Sequence, residues 1–190
     1  IEVEPLCLRV KTSCESKVVQ LGQNEIVVAH TRTDGQGPPG FQRLLAEFLD
    51  AMQRYDRIIP IVGLAQLELH YVDLVVIPGL YEPNSSPSDY FVGAPILPAE
   101  PFGDVARVSW SHVLYPAGDI GHAYMSAQLE PPDGNQGRFL LHWHFWCPGV
   151  APLSSDAVDS SLRQAHDYLL ACFRATCKNK LWELFGPLQG

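Results

Sequence analysis

The chain has 190 residues, of which 46% are hydrophobic and only 18% charged, and its formal net charge is -8. That length can hold one domain with a sizeable core, and the composition excludes a disordered chain. The acidic balance argues against nonspecific binding to nucleic acid or anionic membrane, and no run is long and apolar enough to span a bilayer.

Leu6 to Lys11, Ser16 to Leu21 and Glu25 to Thr31 alternate as strands do, with Gly22-Gln23-Asn24 as a tight turn between the last two. Together they predict an antiparallel meander. Leu6, Leu8 and Val10 give the first strand an apolar side that suits an open sheet edge, and such an edge can pair with a second copy of the chain. Phe41 to Arg57 is the clearest helix. Phe41, Leu44, Leu45, Phe48, Leu49, Met52 and Tyr55 recur at three- and four-residue spacing. Phe48 stands at the centre of that stripe and is expected in the core, with Arg43, Glu47 and Asp50 on the solvent side.

Leu67 to Ile77 predicts a long strand. Leu67, Leu69, Tyr71, Asp73 and Val75 share one face, and Glu68, His70, Val72, Leu74 and Val76 the other. Tyr81 to Pro101 is a long irregular connection with Phe91 and Ile96 as anchors, of the kind that often covers a binding surface. Val105 to Tyr115 and His122 to Leu129 predict a second meander that leads into Gln136 to Gly149. In this last strand Phe139, Leu141, Trp143, Phe145 and Cys147 form an apolar face. Arg138, Leu140, His142, His144 and Trp146 form an amphipathic one. Ser154 or Ser155 caps a C-terminal helix through Val158, Leu162, Ala165, Leu169 and Phe173, with a kink or second short helix near Lys178-Asn179.

Several of these stretches resemble a sporadically distributed family of uncharacterised bacterial proteins, marked by a Gly-Leu-Arg-Tyr-Ile-Asn-Arg-Ile strand and a C-terminal helix. The stretches are VVQLGQNEIVVAHTR at 18–32 with PPGFQRLLAEF at 38–48, LELHYVDLVVIP at 67–78, and AHDYLLACFRATCKNKLWELFG at 165–186. Tyr71 matches the family tyrosine, and His166, Phe173, Leu181 and Phe185 fit the helix. His70, Asp73 and Leu74 stand where the family has Arg, Asn and Arg, and Lys178 where it has Thr. The resemblance implies a fold and no particular chemistry.

The metal-like feature is His142-Trp143-His144, because histidines two apart on a strand project to one face. His112 or His122 from a neighbouring strand could approach them. No carboxylate follows at the usual histidine–carboxylate spacing, so the reading is a wetter sheet face with no bound metal and no cofactor. Asp73, on an apolar-looking face, requires hydrogen-bond donors if buried; it reads as a structural group or the floor of a pocket. Cys7, Cys14, Cys147, Cys172 and Cys177 are odd in number and fit reduced cytoplasmic thiols. No Gly-x-Ser-x-Gly elbow, dinucleotide fingerprint or phosphate-binding loop occurs.

The expected architecture is one two-layer α+β domain over residues 1–190. A curved antiparallel sheet of about six to seven strands packs on two main helices, in a helix-grip or TATA-binding-protein-like arrangement. Ile1 in place of Met reads as the C-terminal portion of a longer chain, and the repeated strand–helix order as an imperfect internal duplication. The leading function is a non-enzymatic intracellular binding or protein-interaction domain. The alternative is a small-molecule-binding, metal-assisted enzyme. Candidate ligand-binding residues are His70, Asp73, His112, His142, His144 and Trp146. The partner classes are a protein, a second copy of the chain or a small apolar ligand, with no nucleic acid and no membrane.

Overall fold

The computed structural model describes residues 8–11, 17–22, 25–31, 40–80, 85–94, 108–114, 120–130 and 136–185. The fold is α+β and divides into two compact units. One comprises Ile1–Ala65 with Gly149–Ser160, the other Gln66–Pro148 with Ser161–Gly190.

In the first unit β1 (Leu8–Lys11), β2 (Lys17–Leu21) and β3 (Ile26–His30) form an antiparallel sheet in chain order. Val10 pairs with Val19, and Val19 with Val28. The Gly22 N–H donates to the Glu25 carbonyl at 2.9 Å where the chain turns between β2 and β3. Helix α1 (Phe41–Asp56) packs on β3. Its buried residues are Leu45 and Met52, two helical turns apart, while Phe48 is half-buried. The whole predicted stripe is sheltered, but only Leu45 and Met52 are fully buried. Glu47, expected on the solvent side, is half-buried as well. Its carboxylate takes an ion pair from Lys17 at 2.6 Å and a hydrogen bond from His30 at 2.7 Å, which draw that edge of the helix to β2 and β3. Tyr55 adds a hydrogen bond to the Gly22 carbonyl at 3.2 Å.

Strands β4 (Leu64–Pro78), β5 (Val108–Leu114), β6 (His122–Leu129) and β7 (Gln136–Val150) form a four-stranded sheet in the order β4-β7-β6-β5, which belongs to the second unit from Gln66 of β4 and up to Pro148 of β7. The β5–β6 and β6–β7 pairs are antiparallel. One face is the core: Leu67, Leu69, Met125, Phe139, Trp143 and Phe145 are all buried. Helix α2 (Ser155–Thr176) brings Leu162, Ala165 and Leu169 to this core. Trp143 meets Phe173 and Phe145 meets Tyr168 edge-on, at 5.8 and 5.5 Å between ring centres. A short helix α3 (Asn179–Phe185) follows, as the break near Lys178 predicts.

The expected single sheet of six to seven strands is corrected. The described strands form a three-stranded and a four-stranded sheet, and each main helix has its own partner sheet. Alternation fixes which residues of a strand share a face, but not which strand lies alongside. Here the meander of β1, β2 and β3 closes on itself, while β4 pairs with β7, far later in the chain.

The long connection after β4 is described over 85–94. It holds a 3-10 turn, Pro87–Asp89, in which Ser86 and Asp89 cap one another. Phe91 is an anchor as expected: it is buried and bridges to Cys177. The Val92 N–H donates to Thr176 and the Lys178 N–H to Tyr90, each at 2.8 Å. Ile96 lies outside the described residues.

Candidate functional site

The sheet of the second unit has opposite chemistry on its two faces, and period-two alternation is the cause. Odd-numbered positions of β4 and β7 carry the core. Even-numbered ones carry Glu68, His70, Val72, Leu74 and Val76 on β4, and Leu140, His142, His144 and Trp146 on β7. Strand β6 adds His122 and Tyr124, whose Cα atoms pair with Trp146 and His144.

These side chains close into a row. Glu68 Oε2 lies 2.9 Å from His70 Nε2 and 2.9 Å from His144 Nε2. His70 Nδ1 lies 3.1 Å from His142 Nε2. The rings of His70 and His144 stack with centres 3.6 Å apart. His144 then meets Trp146 at 3.7 Å, and Trp146 meets His122 at 4.9 Å. Gln66 donates from its side-chain amide to Oε1 of Glu68, leaving Oε2 to the imidazoles.

The electrostatics follow from this packing. Burial and the neighbouring His70 push His144 down to about 4, against the weaker upward pull of Glu68. Burial and His70 also lower His142. Burial by itself would raise the Glu68 carboxyl, but hydrogen bonds from His70 and His144 and their charges outweigh it and hold it below its ordinary value. The site therefore presents an ionised carboxylate beside His144, whose imidazole favours the neutral form, as does that of His142.

Four of the six sequence candidates, His70, His142, His144 and Trp146, come together. Asp73 and His112 do not. Asp73 is on the core-bearing face of β4, where burial raises its carboxyl although the residue as a whole keeps solvent access. His112 does not approach the histidine pair. Its Cα pairs with that of the buried Met125, so it sits on the core side. A β-carbon at Gly93 would come within 2.7 Å of its ring. A one-residue difference in parity separates His112 from the site, and the pairing register sets that parity.

Glu68 is the participant missing from the sequence-derived set. No carboxylate follows His142 at the usual spacing on its own segment; the one in the row arrives from β4. The available signal was Glu68-x-His70, two polar residues on one face of an otherwise apolar strand. Glu68, His70 and His144 place one possible ligand atom each within 4.8 Å of one another.

Comparison with protein-family models, curated proteins and solved structures finds no match. Among the described residues no helix is long and apolar enough to cross a membrane.

Proposed function

We propose that this chain is a non-enzymatic binding domain, acting inside the cell, whose working surface is the solvent-facing side of the four-stranded sheet. The observation that carries this reading is the composition of that side. Val72 is 60%, Leu74 51% and Val76 42% exposed, in line with Glu68 and His70 on the same strand face. Contiguous exposed apolar residues beside a polar cluster are the usual mark of an interaction surface. The occupant that suits such a surface is amphipathic, with an apolar part over Val72, Leu74 and Val76 and a polar part over the histidines. Cys147, Cys172 and Cys177 are free thiols, which fits a reducing compartment. The likeness to helix-grip and TATA-binding-protein-like folds is an analogy with one helix lying on one face of a sheet, and it carries no function.

Nile red, a neutral apolar dye, tests the apolar half. The native chain should bind it saturably while its near-ultraviolet circular dichroism stays unchanged. Leu74→Lys should lose that binding and keep the fold. A native chain that fails to bind the dye, or a folded Leu74→Lys variant that binds it equally well, would place the working surface elsewhere.

A metal-assisted enzyme acting on a small molecule is the second reading. The convergence of Glu68 with His70 and His144 favours it.

A further inference from the structure

Two imidazole nitrogens and a carboxylate oxygen are a donor set for divalent first-row ions such as zinc or ferrous iron. Metal–ligand bonds of about 2.0–2.1 Å place adjacent donors roughly 2.9–3.4 Å apart, for angles between octahedral and tetrahedral. Both spacings from Glu68 Oε2, to His70 Nε2 and to His144 Nε2, are 2.9 Å. Stability gives this cluster little reason to exist, because the Glu68 and His70 side chains are 41% and 42% exposed and solvent screens such pairs.

The surroundings are also those of a ligand set. Gln66 holds Oε1 of Glu68, which aims Oε2 at the two rings. His142 holds His70 by the nitrogen that does not face Glu68. Outer hydrogen bonds of this kind fix the tautomer and direction of a metal-binding imidazole.

We propose that Glu68 Oε2, His70 Nε2 and His144 Nε2 bind one divalent transition-metal ion on the solvent-facing side of the sheet, with His142 as a positioning residue behind His70. This rests on the reading of that side as the binding surface and names the chemical class held at its polar end. Three donors from the sheet leave the coordination positions toward solvent for water or for a donor atom of a further ligand.

The proposal has a signature in the hydrogen positions. An ionised carboxylate only accepts, so without metal His70 and His144 each turn an Nε2–H toward Glu68. His70 Nδ1 then accepts from His142 Nε2–H. A metal takes the Nε2 lone pair, and each ring then keeps its hydrogen on Nδ1. The His70–His142 hydrogen bond reverses direction, with His70 Nδ1–H donating to His142 Nε2.

Zinc added to the full chain, followed by calorimetry and by imidazole nitrogen NMR, tests this. The native chain should bind one equivalent, and the His70 spectrum should change from the Nε2–H to the Nδ1–H form. His142→Ala should keep the stoichiometry and weaken binding by roughly 10–100-fold, as loss of an outer partner does, with an altered His70 Nδ1 resonance. Glu68→Gln and His144→Ala should each weaken it further still, while His122→Ala should leave it unchanged. Glu68→Gln keeps the shape of an exposed side chain, so it decides the matter should His144→Ala not fold. Absence of saturable zinc binding, or binding undiminished in folded Glu68→Gln, overturns the site. That failure is distinct from failure of the binding-surface reading, which turns on Nile red and Leu74→Lys.

Discussion

The hydroxyl of Tyr71 lies 2.7 Å from Nδ1 of His166 and joins β4 to α2 across 95 residues of sequence. Burial and then the charge of Asp73 hold the phenol well above its ordinary range, and burial pushes the imidazole down. Both groups are therefore neutral, and the Tyr71 O–H donates to the ring. Tyr71→Phe deletes that donor and little else. It should cost about 1 kcal/mol, the usual net worth of such a bond. Urea unfolding that shows no loss would mean that the bond contributes nothing.

Met52 is buried at the face of α1 that meets the three-stranded sheet. Met52→Ala should destabilise the chain by about 2–5 kcal/mol through lost transfer energy and the cavity left behind. Gln53→Ala, at the next and exposed position, should stay within about 0.5 kcal/mol. Equal effects from the two in a denaturant series would refute the orientation given to α1.

Burial tends to raise the Glu47 carboxyl, but hydrogen bonds from Lys17, His30 and Arg43 outweigh it and bring its pKa down from 4.5 to about 2. A carboxyl depressed by folding stabilises the folded chain above its unfolded pKa, and that contribution disappears as pH falls through the folded value. Stability should therefore drop between pH 4.5 and about 2, and Glu47→Gln should flatten that part of the curve. Thermal melts of both proteins across this window provide the check. Parallel curves would remove Glu47 as the source.

Gly121 has a φ of +125°, and a β-carbon there would run into the Trp146 carbonyl oxygen and the Phe145 ring. Gly121→Ala meets both strain and backbone, which cannot yield as a side chain can. The loss should exceed about 1 kcal/mol, and the Trp146 indole resonance should move because the strand beneath it shifts. An unperturbed Trp146 in a fully stable variant would contradict the close approach of these two segments.

Alternation in β4, β6 and β7 makes the two faces of the second unit legible in the sequence. His122–Leu129 was bounded to the residue, and Gln136–Gly149 falls one residue short of β7. Helix α1 was legible from its spacing, within a residue at its end. Pairing was not legible, because no local pattern in β4 announces β7 as its neighbour. His112 was misplaced for the same reason, since its face depends on register against β6. Glu68 and Glu47 were overlooked through a related error. Each was treated as a charge belonging to its own segment, and each finds its partners on other elements.

The position of β4 at the end of the four-stranded sheet has a kinetic meaning. Glu68 and His70 belong to that terminal strand, while His142 and His144 belong to the strand inside it. Anything gripped by both acts as a rivet through the sheet margin. Peeling of β4 and departure of the occupant then become a single event, so residence time is governed by how often the margin breathes. Amide hydrogens around His70 should exchange with solvent more slowly when the rivet is in place. Substitutions that loosen β4 far from the histidines should shorten residence without touching a single contact to the occupant.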